Sequence, residues 1–161
     1  MIERRRVVAA DERFLRALQA TTRPDVAGWE EGAREQFLDL QFRAQQAGWE
    51  AMFPDSEHDL ILLDGRPVGR VWVAWSPEEC RVVDVALLPG HRRRGVGRHV
   101  YGEIIAEADR RGLPVRSTVD RTNGPSIAFH RRLGFDLVAE DAVNLAFERP
   151  VSRDRLQRAS G

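Results

Sequence analysis

The chain has 161 residues, with 25 basic and 25 acidic side chains and a formal net charge of zero; every basic residue is arginine. That length fits one domain better than two, and a 42% apolar share is enough for a packed core, which excludes a disordered, collagenous or coiled-coil chain. Neutrality also excludes a general nucleic-acid or membrane coat, which needs a large positive excess.

The charge is unevenly spread. Residues 1–80 hold 15 acids against 10 arginines, and residues 81–161 hold 10 acids against 15 arginines. A basic half in a neutral chain points to a localised anion site. The single cysteine, Cys80, cannot form an internal disulfide or a cysteine-based zinc cluster, and no metal site is expected. The opening Met1-Ile2-Glu3 runs into Arg4-Arg5-Arg6, and only Val7 to Ala10 follow before Asp11, which is not a secretory pattern. No apolar run approaches the ~20 residues that span a bilayer. The expectation is a soluble cytoplasmic protein of one domain over residues 1–150, with a polar tail over 151–161 and neither nucleic acid nor membrane as partner.

In chain order, Arg6 to Ala10 reads as a strand, and Asp11 caps a short helix with Phe14, Leu15 and Leu18 on its apolar side. Thr21 to Gly28 is a link containing Pro24. Ala33, Phe37, Leu40, Ala44 and Ala47 repeat at helical spacing up to Gly48, which reads as a stop. Leu60 to Leu63, Val68 to Trp75 and Cys80 to Leu88 read as an antiparallel meander, with Asp64-Gly65 as its first tight turn. A helix follows near Gly95, with Val96, Val100, Tyr101, Ile104, Ile105 and Ala108 on one stripe and Gly112 as its end. Pro114 to Val119 is a strand, Asn123-Gly124-Pro125 starts a helix that Gly134 closes, and Phe135 to Ala139 and Val143 to Phe147 are the last strands. The order β-α-α-β-β-β-α-β-α-β-β describes a mixed α/β (α+β) domain with one sheet and flanking helices.

The stretch Leu87-Leu88-Pro89-Gly90-His91-Arg92-Arg93-Arg94-Gly95-Val96-Gly97-Arg98 carries the most chemistry. A helix start leaves unpaired N–H groups and a partial positive charge, and Gly95 and Gly97 let an anion approach them closely. The arginines add charge. A Walker loop is excluded, because the chain has no lysine, and the dinucleotide fingerprint lacks its third glycine, since Val100 stands there.

Arg92-x-x-Gly95-x-Gly97, following Val85-Ala86-Leu87-Leu88-Pro89, resembles the acetyl-CoA signature of the GNAT N-acetyltransferase superfamily. A second block, Asn123-Gly124-Pro125-Ser126-Ile127-Ala128-Phe129-His130-Arg131-Arg132-Leu133-Gly134-Phe135, is similar to the family's Asn-x-x-Ala-x-x-Leu-Tyr-x-x-x-Gly-Phe. The resemblance covers roughly residues 60 to 149. It implies a mainly antiparallel sheet that splays between the strand ending at Leu88 and the strand beginning near Pro114, with acetyl-CoA as acyl donor. The diphosphate of the donor would lie on the N–H groups of Arg92, Arg93, Arg94, Gly95, Val96, Gly97 and Arg98. Its pantetheine arm would pair with free backbone groups of Leu87 and Leu88, and Asn123 would face it. The acceptor would be a small-molecule or peptide amine, and a homodimer is left open.

Two departures bear on mechanism. Ser126 stands where alanine is usual, and His130 where a tyrosine usually protonates the leaving thiolate. His130 is either an imidazolium donor or a packing histidine. Asp84 is the candidate base, or else an aspartate paired with Arg70 or Arg116 across the sheet. Cys80 is read as a small buried residue rather than an acetyl-cysteine, His58 as a loop-edge histidine or a base, and His91 as a solvated flank. Trp29, Phe37, Phe42, Trp49, Phe53, Trp72 and Trp75, with Glu50, Asp55, Glu57 and Asp59, would together suit a cationic amine with an apolar body, while most of them taken singly read as core, as for Phe37 and Trp49, or as a solvated acidic loop. A longer acyl donor and a catalytically weak CoA-binding module are the competing readings.

Overall fold

The structure, a computed structural model, describes residues 1–152. Its elements are β1 (Ile2–Arg6), α1 (Glu12–Ala20), α2 (Glu31–Met52), β2 (Glu57–Leu63), β3 (Arg66–Trp75), β4 (Cys80–Leu87), α3 (Val96–Arg111), β5 (Val115–Asp120), α4 (Gly124–Arg132), β6 (Asp136–Glu140) and β7 (Asn144–Arg149). Single 3-10 turns occupy Ala9–Asp11, Pro24–Val26 and Pro89–His91. The strand order is β1-β2-β3-β4-β5-β7-β6. β1–β2, β5–β7 and β6–β7 are antiparallel, and β4–β5 is parallel. This is the mixed α/β sheet expected from the sequence. The greater part of the polar tail, residues 153–161, lies outside the described residues. No helix among the described residues is long and apolar enough to cross a membrane.

The described residues form two compact units, Met1–Trp72 with Asp84–Gly97, and Val73–Val83 with the described residues from Arg98 on. In the first, Leu15, Phe42 and Leu60 form a buried cluster, with Val7, Phe14 and Leu62 packed against it. Asp64 (φ 50°) and Gly65 (φ 79°) are both left-handed, as a two-residue turn between twisted strands requires. β1 lies earlier than Arg6–Ala10. The Asp11 carboxylate accepts the Val8 N–H at 2.9 Å and folds the residues after Val8 into a turn before they can extend a strand. α2 runs through Gly48 to Met52 instead of stopping there. A mid-helix glycine costs about 1 kcal/mol, and Trp49, one residue on, packs edge-on against Trp72 at 5.3 Å. That packing outweighs the weak stop.

In the second unit, α3 buries Val100, Tyr101, Ile104 and Ala108, the stripe read from the sequence. Gly112 (φ 69°) and Gly134 (φ 85°) end α3 and α4 in the left-handed conformation. The Leu113 N–H reaches the Ala108 carbonyl at 2.9 Å, and the Phe135 N–H reaches that of His130 at 3.0 Å. β5 alternates buried Val115, Ser117 and Val119 with exposed neighbours. The β4–β5 ladder runs from Cys80↔Val115 to Val82↔Ser117, the first three residues of each strand.

Candidate active site

The loop between β4 and α3 is built from one 3-10 turn and two left-handed residues. Arg93 has φ 59° and Gly95 φ 80°, immediately before α3 begins at Val96. Successive left-handed turns swing backbone N–H groups to one side, which makes an anion-binding concavity. A non-glycine residue in that conformation costs about 1 kcal/mol or more, and such strain concentrates at functional loops. A Cβ built on Gly90 or Gly95 would meet no atom within 4 Å, so the space over the loop is open. Among the described residues no carboxylate pairs with Arg92, Arg93, Arg94 or Arg98, whereas Arg70, Arg81, Arg116 and Arg149 each hold one. His91, expected as a solvated flank, has a buried Nδ1 with no hydrogen-bond partner among the described residues. The Arg92 N–H, expected to face the diphosphate, is instead taken by the Pro89 carbonyl at 3.3 Å, which closes the 3-10 turn. The N–H groups from Arg93 onward, the uncancelled charge and the open space fit a donor diphosphate.

The backbone at the end of β4 is less free than expected. The Leu88 N–H donates to the Val68 carbonyl at 2.8 Å, and the Leu87 carbonyl accepts Arg92 Nε at 3.0 Å. Gly69 explains the close approach of β3. A Cβ there would lie 2.3 Å from the Ala86 carbonyl oxygen and 2.6 Å from Leu87 Cδ2.

Asp84 is paired across the sheet. Arg70 Nε donates to Asp84 Oδ2 at 2.8 Å, and the Arg70 guanidinium lies over the Trp49 ring at 5.2 Å. Arg70 is buried; the Asp84 side chain is about one-quarter exposed, at 26%. Only one Asp84 oxygen is engaged by Arg70.

In the second unit, Asn123 caps α4. Its Oδ1 accepts the Ser126 N–H at 3.2 Å, and its side-chain N–H₂ has no partner among the described residues. His130 is buried on α4 among Tyr101, Phe135 and Phe147. Its Nδ1 lies 2.8 Å from the Ser126 carbonyl, which can only accept, so the proton sits on Nδ1. Nε2 then accepts, with Ser117 Oγ at 3.0 Å and the Tyr101 hydroxyl at 3.2 Å. Burial pushes the His130 pKa below its ordinary value. The ring is therefore neutral at neutral pH and has no Nε2 proton to give. Cys80 is fully buried at the start of β4.

Residues 14–135 match the acetyltransferase (GNAT) family. The chain belongs to that family. No match is found among curated proteins. Solved structures share the GNAT fold. The PaiA N-acetyltransferase of Thermoplasma acidophilum, solved in complex with coenzyme A, aligns with a TM-score of 0.72 at 16% identity, over 93% of this chain and 99% of that one. An acetyltransferase of Thermus thermophilus gives 0.69 at 21% identity, over 94% and 97%. Nourseothricin acetyltransferase is 30% identical over 62% of this chain and 67% of its own, with a TM-score of 0.56.

The GNAT protein also carries a cluster that sequence reading undervalued. His58 is not at a loop edge but inside β2, stacked on Trp72 at 4.0 Å and 17°. Trp72 Nε1 donates to Ser56 Oγ at 2.6 Å. Burial and the charges of Arg70 and Arg6 hold the His58 pKa down at about 4. The Glu57-to-Leu63 stretch signals a strand only from Leu60 on, because Glu57, His58 and Asp59 are polar types, and nothing local marks His58 as buried.

Proposed function

We propose that the protein is an acetyl-CoA-dependent N-acetyltransferase that moves an acetyl group to a primary amine by direct attack, with both substrates bound together. The observation that carries this reading is the Arg92–Arg98 loop: four arginines without acid partners among the described residues, around two left-handed residues at a helix start, in a GNAT chain. The coenzyme A held by the Thermoplasma neighbour supports acetyl-CoA as donor. A single cysteine, which cannot form an internal disulfide, suits a cytoplasmic setting.

The chemistry needs three things. An alkyl amine of pKa ~10 is neutral in less than about 1% of molecules at pH 7, so a proton must be removed. Asp84 is the assigned acceptor of that proton, through the oxygen Arg70 leaves unengaged. The neutral amine nitrogen then attacks the carbonyl carbon, the C–S bond breaks and the thiolate departs with the electron pair, while the second proton of the attacking nitrogen passes to water or to the departing thiolate, leaving the amide. With the Leu88 N–H taken by the Val68 carbonyl, the Leu87 N–H is the backbone donor assigned to the oxyanion. An alkyl thiol of pKa about 8.5 leaves as an anion near neutral pH, so a neutral His130 is no obstacle. The test is thiol release from acetyl-CoA against a panel of primary amines and matched alcohols. Amine-dependent release with acetylated amine as product is expected. Release that ignores the amine, or none despite acetyl-CoA binding, would overturn the reading.

A further inference from the structure

In the first unit, a cleft of about 820 Å³ opens between α1, the C-terminal half of α2 and β2. Its apolar walls come from Leu15, Phe42, Phe53 and Trp72, with His58 deep in the lining and Glu50 among the exposed residues. His58 is only 9% exposed, and its Nε2 has no hydrogen-bond partner among the described residues. A buried ring nitrogen left unpaired costs free energy unless a ligand satisfies it. The His58–Trp72 stack is held by Ser56 on one side and by Trp49 on another, so this wall is formed before any ligand arrives.

The charges in the cleft are mostly cancelled. Arg6 pairs with Asp59 at 3.4 Å, Arg43 pairs with Asp39, and Glu12 pairs with Arg16 at 3.2 Å. Among the described residues Glu50 holds no arginine; it accepts only the Gln46 amide, at 3.4 Å. The cleft thus presents one uncancelled carboxylate, an aromatic wall, and one unpaired buried ring nitrogen. Anions are disfavoured, and a cation joined through an apolar body to a hydrogen-bonding group matches all three.

We infer that this cleft holds the acceptor, a primary amine on an apolar ring-sized body that also carries a hydroxyl or N–H. The ammonium lies toward Glu50, the body against Trp72 and Phe42, and the distal polar group on His58 Nε2. This rests on the amine-acetyltransferase reading above. His58 is a specificity-determining residue here, acting on acceptor binding and not on the proton transfer.

Tyramine and 2-phenylethylamine, which differ by one hydroxyl, are the probes. Binding is read by tryptophan fluorescence with and without CoA, since Trp72 lines the cleft, and turnover by thiol release at saturating acetyl-CoA. Tyramine is expected to bind and react, with KM raised about tenfold by Glu50→Gln and by His58→Phe. Phenylethylamine should feel Glu50→Gln as tyramine does, and His58→Phe clearly less than tyramine does. His58→Gln, which keeps a hydrogen-bonding group, should recover part of the tyramine KM and guards against a folding defect. Tyramine that neither quenches fluorescence nor reacts at millimolar concentration overturns the inference, as does an unchanged KM in both variants. Acetyl-CoA calorimetry on the same proteins separates the two claims: no donor binding sinks the enzyme reading, while fluorescence binding of tyramine still tests the cleft.

Discussion

Arg92 Nε donates to the carbonyl of Leu87 at 3.0 Å, tying the first arginine of the loop back to the last residue of β4. The bond fixes where the loop leaves the strand while Arg93, Arg94 and Arg98 stay without acid partners among the described residues. Arg92→Ala removes both the tie and a charge, so acetyl-CoA affinity should fall about ten- to thirtyfold in calorimetry. Arg92→Lys should recover only the charge part, because an ammonium does not reproduce the directional guanidinium donor. Equal affinities for Arg92→Lys and the parent protein would show that the tie is unimportant.

Asp84 has two roles that substitution can separate. Asp84→Ala leaves the buried Arg70 guanidinium without its partner and should destabilise the protein by about 3 kcal/mol in urea denaturation. Asp84→Asn keeps an oxygen for Arg70 but cannot take a proton. It should cost roughly 1 kcal/mol of stability and at least a hundredfold in kcat. A kcat within threefold of the parent would remove Asp84 from proton transfer.

Gly69 sits where β3 and the end of β4 approach each other. Gly69→Ala places a methyl 2.3 Å from the Ala86 carbonyl oxygen, so backbone must move. A loss of about 2–3 kcal/mol is expected, with weaker acetyl-CoA binding because Leu87 is displaced. Thermal denaturation and calorimetry together check both.

Acid should weaken the fold through His58. Its folded pKa of about 4 lies below the unfolded value of ~6.5, so the unfolded chain binds more protons between them. The stabilisation is complete above about pH 6.5 and is lost as pH falls toward 4, amounting to about 2–3 kcal/mol at pH 4.5. Burial is the main cause, Arg70 on β3 and Arg6 on β1 add to it, and Asp11 in the turn before α1 opposes it. Asp11, held down at about 2 by Arg5 and the Val8 N–H, adds a loss in the same direction at lower pH. Asp59, whose pKa burial raises, opposes it. Denaturant midpoints at pH 7 and 4.5 should converge in His58→Phe relative to the parent.

His130 gives a different pH signature. An imidazolium donor would make kcat fall between pH 6 and 8 as it loses its proton. With Nδ1–H on the Ser126 carbonyl and Nε2 accepting, no falling limb is expected in that range. A bell-shaped kcat profile with an alkaline limb near 7 would restore His130 as the acid.

Most of the fold was legible because the signals were local. The α3 stripe, the Asp64-Gly65 turn and the Gly112 and Gly134 stops each depend on residues a few positions apart. The placement of β1 and the end of α2 depend on a side chain overriding backbone preference or on a distant contact, Asp11 on the Val8 N–H and Trp49 on Trp72. β2 begins at Glu57, whereas the sequence signals it only from Leu60, because its first three residues are polar types. The site divides the same way. The Arg92–Gly97 cradle is contiguous in sequence and was readable, and the Arg70–Asp84 pair was one of two partners considered. The His58–Trp72 stack brings together residues fourteen apart on adjacent strands, and the neutrality of His130 follows from Ser117, Ser126 and burial, none of which the chain order displays.

The most direct measurement is calorimetric titration of acetyl-CoA into the parent protein and into Gly95→Val, with melting temperatures recorded alongside. Gly95 is left-handed at φ 80° with open space above it, so valine strains the loop without creating a core clash. Binding by the parent and at least a tenfold loss in Gly95→Val, at a melting temperature within a few degrees, is the expected result. Undiminished binding in the variant, or no heat with the parent, would contradict the assignment of the loop as the acetyl-CoA cradle.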